Sequence, residues 1–286
     1  MIALLLEPFG YQYMVKAIWV SALVGGVCAF LSCYLMLKGW SLMGDALAHA
    51  IVPGVALAYL LALPYAVGAF LSGILAALAM ALVRVRTRLR EDAVIGIVFT
   101  TFFAIGLLIV SINPTSVNVQ SIVLGNILGI SDEDVVQVAI IAAVSLVILV
   151  ARWKDMMLVF FDENHARAVG LSPTRMKILF FVLLSACTVA ALQTVGACLV
   201  IAMVVTPGAT AYLLTDRFGR LIVIAVTMGV VTSAVGAYAS YFLDGSTGGM
   251  IVVLQTVLFL LAFAFAPKHG RLAARRAASS QVEPAV

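Results

Sequence analysis

The chain has 286 residues, 64% of them hydrophobic and only 10% charged, with a mean hydropathy of +1.17. Soluble domains carry about 25% charged residues, so the composition excludes a soluble enzyme and predicts one integral membrane domain. The net charge of +4 comes from loop basic residues that mark membrane topology, so no nucleic-acid partner is expected.

A spanning helix takes about 20 mainly apolar residues, and such segments tile the chain almost to residue 266. Residues 1–15 lack a basic leader and are interrupted by Glu7 and Pro8, so they read as an external or interfacial segment and not as a cleaved signal peptide. Nine spans follow, at 16–37, 43–63, 64–83, 93–112, 135–151, 177–195, 197–214, 221–243 and 250–266. Eight is the alternative count, because the fifth is short and only a turn at Gly196 separates the sixth from the seventh. The expected fold class is all-α: a polytopic membrane protein whose transmembrane domain covers 16–266, followed by a basic, disordered cytoplasmic tail at 267–286.

Lys and Arg concentrate in cytoplasmic loops. With the N-terminus outside and the C-terminus inside, sixteen of the seventeen basic residues fall on the cytoplasmic side, and Lys16 is the exception. An even number of spans would strand one basic cluster outside.

The second span contains "GDALAHAIVPG", residues 44–54. Asp45 and His49 are four residues apart, hence on one face of a helix. A carboxylate within the bilayer costs at least about 2.5 to 3.5 kcal/mol and marks a functional position by default. Lys38 is the nearest base and offers Asp45 a purely structural partner; His49 has no comparable one. Pro53 removes a backbone hydrogen bond and is expected to kink the helix just past His49, while Gly44, Ala46, Ala48 and Ala50 permit close helix approach. A carboxylate with an imidazole suits a divalent transition metal, but two ligands are too few. A symmetric dimer would supply four.

Two regions read as non-spanning. Residues 113–134 are expected to be re-entrant or interfacial on the external side. Residues 152–177 form the longest internal loop, in which Asp162 is a helix N-cap, Glu163 lies in the first turn, and Gly170 with Pro173 stops a helix of about two turns. Such a helix is too short to stand alone. Either it packs on its own membrane domain or it docks a cytoplasmic partner.

Gln193, Thr194 and Thr206, with Pro207 breaking the span, make residues 193–214 a second candidate lining for a pathway, against the plainer reading of polar glue between helices. Cys28, Cys33, Cys187 and Cys198 lie within spans and read as packing residues. Asp244 in "LDGSTGG" adds to an acidic outer face, and no role is assigned to it.

The run "LMLKGWSLMGDALAHAIVPGVALAYLL" resembles the second-helix signature of the permease subunits of bacterial metal-ion ABC importers for manganese, iron and zinc. "LGNILGIS", "FDENHARAVGL" and "QTVGACLVIAMVVTPGATAYLL" resemble further landmarks of that family in the same order, and the likeness extends over residues 8–266, nearest the manganese/iron branch. The resemblance implies a type II ABC importer-like permease in the bacterial inner membrane. It makes Asp45 and His49 pathway ligands for transported Mn2+ or Fe2+, or alternatively Zn2+, with no permanently bound cofactor. Residues 162–170, with Asp162, Glu163, His165, Arg167 and Gly170, become the coupling helix on a cytoplasmic ABC ATPase. The implied partners are that ATPase, a periplasmic or lipid-anchored metal-binding protein, and a second permease, itself or a related chain, in the lipid bilayer. The chain has no phosphate-binding G-x-x-x-x-G-K-[ST] loop, so ATP hydrolysis is expected on the partner. A proton-coupled secondary metal transporter is the rival reading, and it gives no reason for the capped cytoplasmic helix. An intramembrane hydrolase would need a nucleophile motif that the chain lacks.

Overall fold

The computed structural model describes residues 6–40, 42–87, 89–113 and 129–266, without the side chains of 84, 85, 194, 195 and 197–199. Most of the expected re-entrant segment, the basic tail and the side chains of Thr194 and Cys198 therefore lie outside the described residues. After a short 3-10 turn at Glu7–Gly10 come α1 (Gln12–Lys38), α2 (Met43–Ala50), α3 (Val52–Leu60), α4 (Tyr65–Arg86), α5 (Glu91–Ile112) and α6 (Asp132–Phe161). They are followed by α7 (Glu163–Ala168), α8 (Pro173–Val195), α9 (Ala197–Leu214), α10 (Phe218–Leu243) and α11 (Thr247–Phe265). Among the described residues eight helices are long and apolar enough to span a bilayer, α2 and α3 counting together as one; the ninth expected span appears as the shorter apolar helix Val200–Leu214.

The chain divides into two compact units, Met1–Met36 with Ala202–Val286, and Leu37–Ile201. In the first, α1 and α10 cross backbone to backbone: a Cβ on Gly25 would lie 2.7 Å from the Gly229 carbonyl oxygen, and one on Gly229 would lie 2.5 Å from that of Gly25. Pro207 does not break its span. It sits inside the continuous α9, where Ser32 of α1 serves the disturbed backbone: its hydroxyl donates to the Val205 carbonyl at 3.0 Å and accepts from the Gly208 N–H at 2.9 Å. A neighbouring hydroxyl thus supports the helix backbone on both sides of the proline. Gln255 of α11 donates to Thr232 of α10 at 3.3 Å. That bond suits an interface where lipid offers no alternative partner.

In the second unit, α3 and α4 form a hairpin whose turn includes Ala62 at φ 53°. Gly54 and Gly68 make the crossing so close that a Cβ on Gly54 would fall 2.0 Å from the Gly68 carbonyl oxygen. Helices α5 and α6 turn much of their apolar surface outward, with Ile97, Leu108, Ile140 and Val147 all exposed, as lipid-facing helices do.

The fifth span differs from its expected limits. Helix α6 runs unbroken for 30 residues from Asp132 to Phe161, starting on a Ser131 cap, and α8 starts at Pro173. The loop expected at 152–177 is thus confined to the residues around α7. Arg152 and Asp155 pair at 3.0 Å one turn apart, so charges that read as loop sit on a helix that continues past its apolar section.

Candidate metal pathway and coupling helix

The expected kink appears as an interruption of one residue, Ile51, which itself keeps helical dihedrals at φ -74° and ψ -22°. Helix α2 ends at Ala50 and α3 begins at Val52, with Pro53 in its first turn, where a missing N–H is tolerated. Pro53 can offer no N–H to the His49 carbonyl, and Ser72 of α4 donates to the adjacent Ala50 carbonyl at 2.6 Å. Ile51, at the interruption, is seated in a buried cluster with Ala69 of α4 and Val189 of α8. Apolar contact thereby adds to the backbone bonds that Ile51 makes on either side, donating to the Leu47 carbonyl at 3.2 Å and accepting from the Val55 N–H at 3.0 Å.

This packing presents the predicted pair. Within Met43–Ala50 every residue is buried except Asp45 and His49. The small residues do what their size predicted, packing the rest of α2 against its neighbours. Asp45 Oδ1 and His49 Nε2 stand 3.1 Å apart. Asp45 Oδ1 is shielded from solvent and accepts no hydrogen bond, so the histidine N–H is not aimed at it, and a buried acceptor of this kind is costly unless something else satisfies it. Two donors this far apart can share one cation at about 2.1 Å from each, with a near-right angle at the metal. Phe99 and Phe103 of α5 flank the imidazole, with ring centroids at 5.7 and 5.2 Å. They were not singled out in the sequence, where their i,i+4 spacing reads as ordinary packing. Among the described residues no group of three or more His, Cys, Asp or Glu comes together.

Lys38 is not the partner of Asp45. Its Nζ lies 3.6 Å from Glu163 Oε1, and Lys177 of α8 donates to the same carboxylate. Asp45 is thereby left without a structural counter-charge on α1.

The short helix α7 forms where its signals placed it. The Asp162 carboxylate accepts from the N–H groups of Asn164 and His165 at 2.9 and 3.0 Å. The bond from His165, foremost, holds this carboxyl below its ordinary value, with Asn164 adding to the effect against slight desolvation. Gly170, at φ 87°, closes the other end, and the Leu171 N–H reaches back to the Ala166 carbonyl at 2.9 Å. Ala166 is buried, whereas Asn164, His165 and Arg167 are exposed. Phe161 and Val169, 76% and 62% exposed, flank them. These two apolar residues escaped the sequence reading because each adjoins an apolar run that looked like packing. Next to α7, a cavity of about 430 Å³ is lined by Trp40, Leu78, Glu91, Arg167, Ile178 and Phe181, among others.

Gln193 lies near the end of α8, its Oε1 buried with no hydrogen-bond partner. Thr206 is half-buried and Pro207 buried in α9, in the other unit.

A multi-pass helical bundle that carries an acid–imidazole pair on an interrupted span and an exposed capped helix between two long helices is a transport permease in class. Residues 10–266 match the model of the ABC 3 transport family, and the chain belongs to that family. It is 74% identical to the chelated iron transport system membrane protein YfeC of Yersinia pestis over 96% of this chain and 94% of that one. It is 52% identical to the manganese transport system membrane protein MntB of Synechocystis, covering 94% and 88%. Among solved structures, a chain of PsaBC from Streptococcus pneumoniae, in complex with Fab, superposes with a TM-score of 0.86 at 33% identity, covering 96% of this chain and all of that one.

Proposed function

We propose that this chain is the membrane permease of an ATP-driven importer for divalent transition metal ions, manganese or iron(II). The observation that carries the reading is the Asp45–His49 pair: the only open positions on α2, with converged donor atoms and a buried, unsatisfied carboxylate oxygen. The ion is substrate, held in passage. Asp45 supplies the negative charge that offsets its lost hydration and His49 a neutral nitrogen, a mixed donor set that suits manganese and iron. A second permease copy would bring a second acid and imidazole and complete the shell.

The N-terminus faces the periplasm and the C-terminus the cytoplasm of the bacterial inner membrane, because this places the basic loops inside. Helix α7 then faces the cytoplasm. Its exposed polar residues, bracketed by Phe161 and Val169, form the seat for a separate ATPase subunit, and a periplasmic or lipid-anchored binding protein delivers the metal. The iron and manganese named for its relatives support this substrate class.

Uptake of radiolabelled manganese, measured in metal-starved cells with ATPase, binding protein and any companion permease present, tests the reading. Asp45→Asn keeps the side chain's size and removes its charge. It is expected to lower uptake at least ~10–100-fold, the range for losing even the hydrogen-bonded support of a metal ligand, while the complex still assembles. Normal uptake in this variant would rule out Asp45 as a ligand.

A further inference from the structure

Glu163 is the one charged residue of α7 that is half-buried. Its carboxylate is 28% exposed and is held by Lys38, 22% exposed, and Lys177, 21% exposed. A residue held twice by its own chain is poorly placed to meet a partner subunit, unlike its neighbours Asn164, His165 and Arg167.

What Glu163 holds is informative. Lys38 is the last residue of α1. Gly39 follows at φ 70°, a left-handed conformation that turns the chain sharply. Next is Trp40, 4% exposed, and five residues later Asp45. Trp40 stacks on Phe181 of α8 at 5.5 Å and meets Phe160, at the end of α6 just before the α7 cap, edge-on at 5.6 Å. Its indole N–H donates to Glu91, the first residue of α5, which is the helix that bears Phe99 and Phe103 against His49. Both flanks of the metal pair are therefore tied to the inner side of α7 through a few contacts in one unit.

We propose that Glu163 and Lys38 are positioning residues that transmit movement of α7 to the Asp45–His49 helix, with Trp40 distributing it to α2 and α5. This deepens the importer reading and rests on it. The outer face of α7 receives the ATPase, whereas Glu163 on its inner face converts that contact into displacement at the ion. Lys177 keeps α7 on α8. Lys38 carries the displacement onward, so the two lysines on one carboxylate have separable effects.

The test uses the complete permease–ATPase complex and reads ATPase capture, ATP hydrolysis and manganese uptake separately. Lys38→Met removes the charge at nearly constant length and leaves the Glu163–Lys177 bond in place. Capture and hydrolysis are expected to stay within about twofold of native while uptake falls about tenfold, within the range found for coupling residues that touch neither ligand. Lys38→Arg is expected to restore uptake. His165→Ala, on the outer face, is expected to give the opposite pattern, weaker capture with uptake falling in proportion. Native uptake in Lys38→Met, equal losses of capture and uptake, or no rescue by arginine would each overturn the proposal. A native complex that shows no ATP-dependent uptake at all would instead overturn the importer reading.

Discussion

Two proline–glycine pairs interrupt apolar stretches of this chain, and they end differently. Just before Val52-Pro53-Gly54 the helix is interrupted for one residue, Ile51; through Thr206-Pro207-Gly208 it continues. The backbone chemistry is the same, so the surroundings decide. Around Pro207 one hydroxyl, that of Ser32, both donates to Val205 and accepts from Gly208, which ties the backbone beside the proline to α1. Around Pro53, Ser72 donates to the Ala50 carbonyl and Ile51 is drawn into the cluster with Ala69 and Val189, which fixes the two halves separately. A proline in a membrane helix announces freed backbone groups; the neighbouring helices determine whether a joint results.

The largest expected effect is that of Gly54→Ala. Its methyl would meet backbone, the Gly68 carbonyl, at 2.0 Å, with no flexible side chain to give way. Overpacking of this kind costs roughly 1–3 kcal/mol or more, and the α3–α4 hairpin should fail to assemble, seen as loss of folded protein in detergent. Next is the proline pair itself. Pro53→Ala restores an N–H next to the interruption at Ile51, regularising the helix there and shifting His49, so metal uptake should fall roughly ten- to a hundredfold, the penalty of small misplacements at a reacting site. Pro207→Ala lies in a helix that is already continuous and should leave uptake within about twofold. Equal losses in both would break the comparison.

Smaller effects sharpen it. Ser32→Ala loses two bonds, to the Val205 carbonyl and from the Gly208 N–H, and should cost about 1–3 kcal/mol, whereas Ser72→Ala loses one and should cost about 0.5–1.5 kcal/mol; thermal unfolding of the purified permease ranks them. The smallest effect is at the α7 cap, which neither proline touches. The Asp162 carboxyl is held below its ordinary value of 3.8, so its stabilising contribution is complete above that pH and is lost only as pH falls through the lowered value. Hydrogen-exchange protection of the Asn164 and His165 amides, corrected for intrinsic rate, should therefore be flat from about pH 7 to pH 5.

Much of this was written in short-range sequence signals. The i,i+4 spacing of Asp45 and His49 put them on one face, and the small residues between them packed away. The α7 cap was legible to the residue because Asp162, Gly170 and Pro173 act through their own backbone neighbours. Long-range choices were not legible. Lys38 stood closer in sequence to Asp45 than to Glu163, and only folding revealed which acid it meets. Arg152 and Lys154 read as the start of a loop, but a helix does not end where its apolar stretch ends, and α6 runs on to Phe161. The fate of Pro207 depended on Ser32, far away in the chain.

The Gly54–Gly68 crossing carries one more consequence. With no room between these backbones for a methyl group, α3 and α4 pack as one closely fitted hairpin. Any swing that carries His49 relative to this body must be taken up at Ile51. Stiffening the hairpin further should then leave the transport cycle untouched, whereas a cross-link spanning Ile51 should stall it.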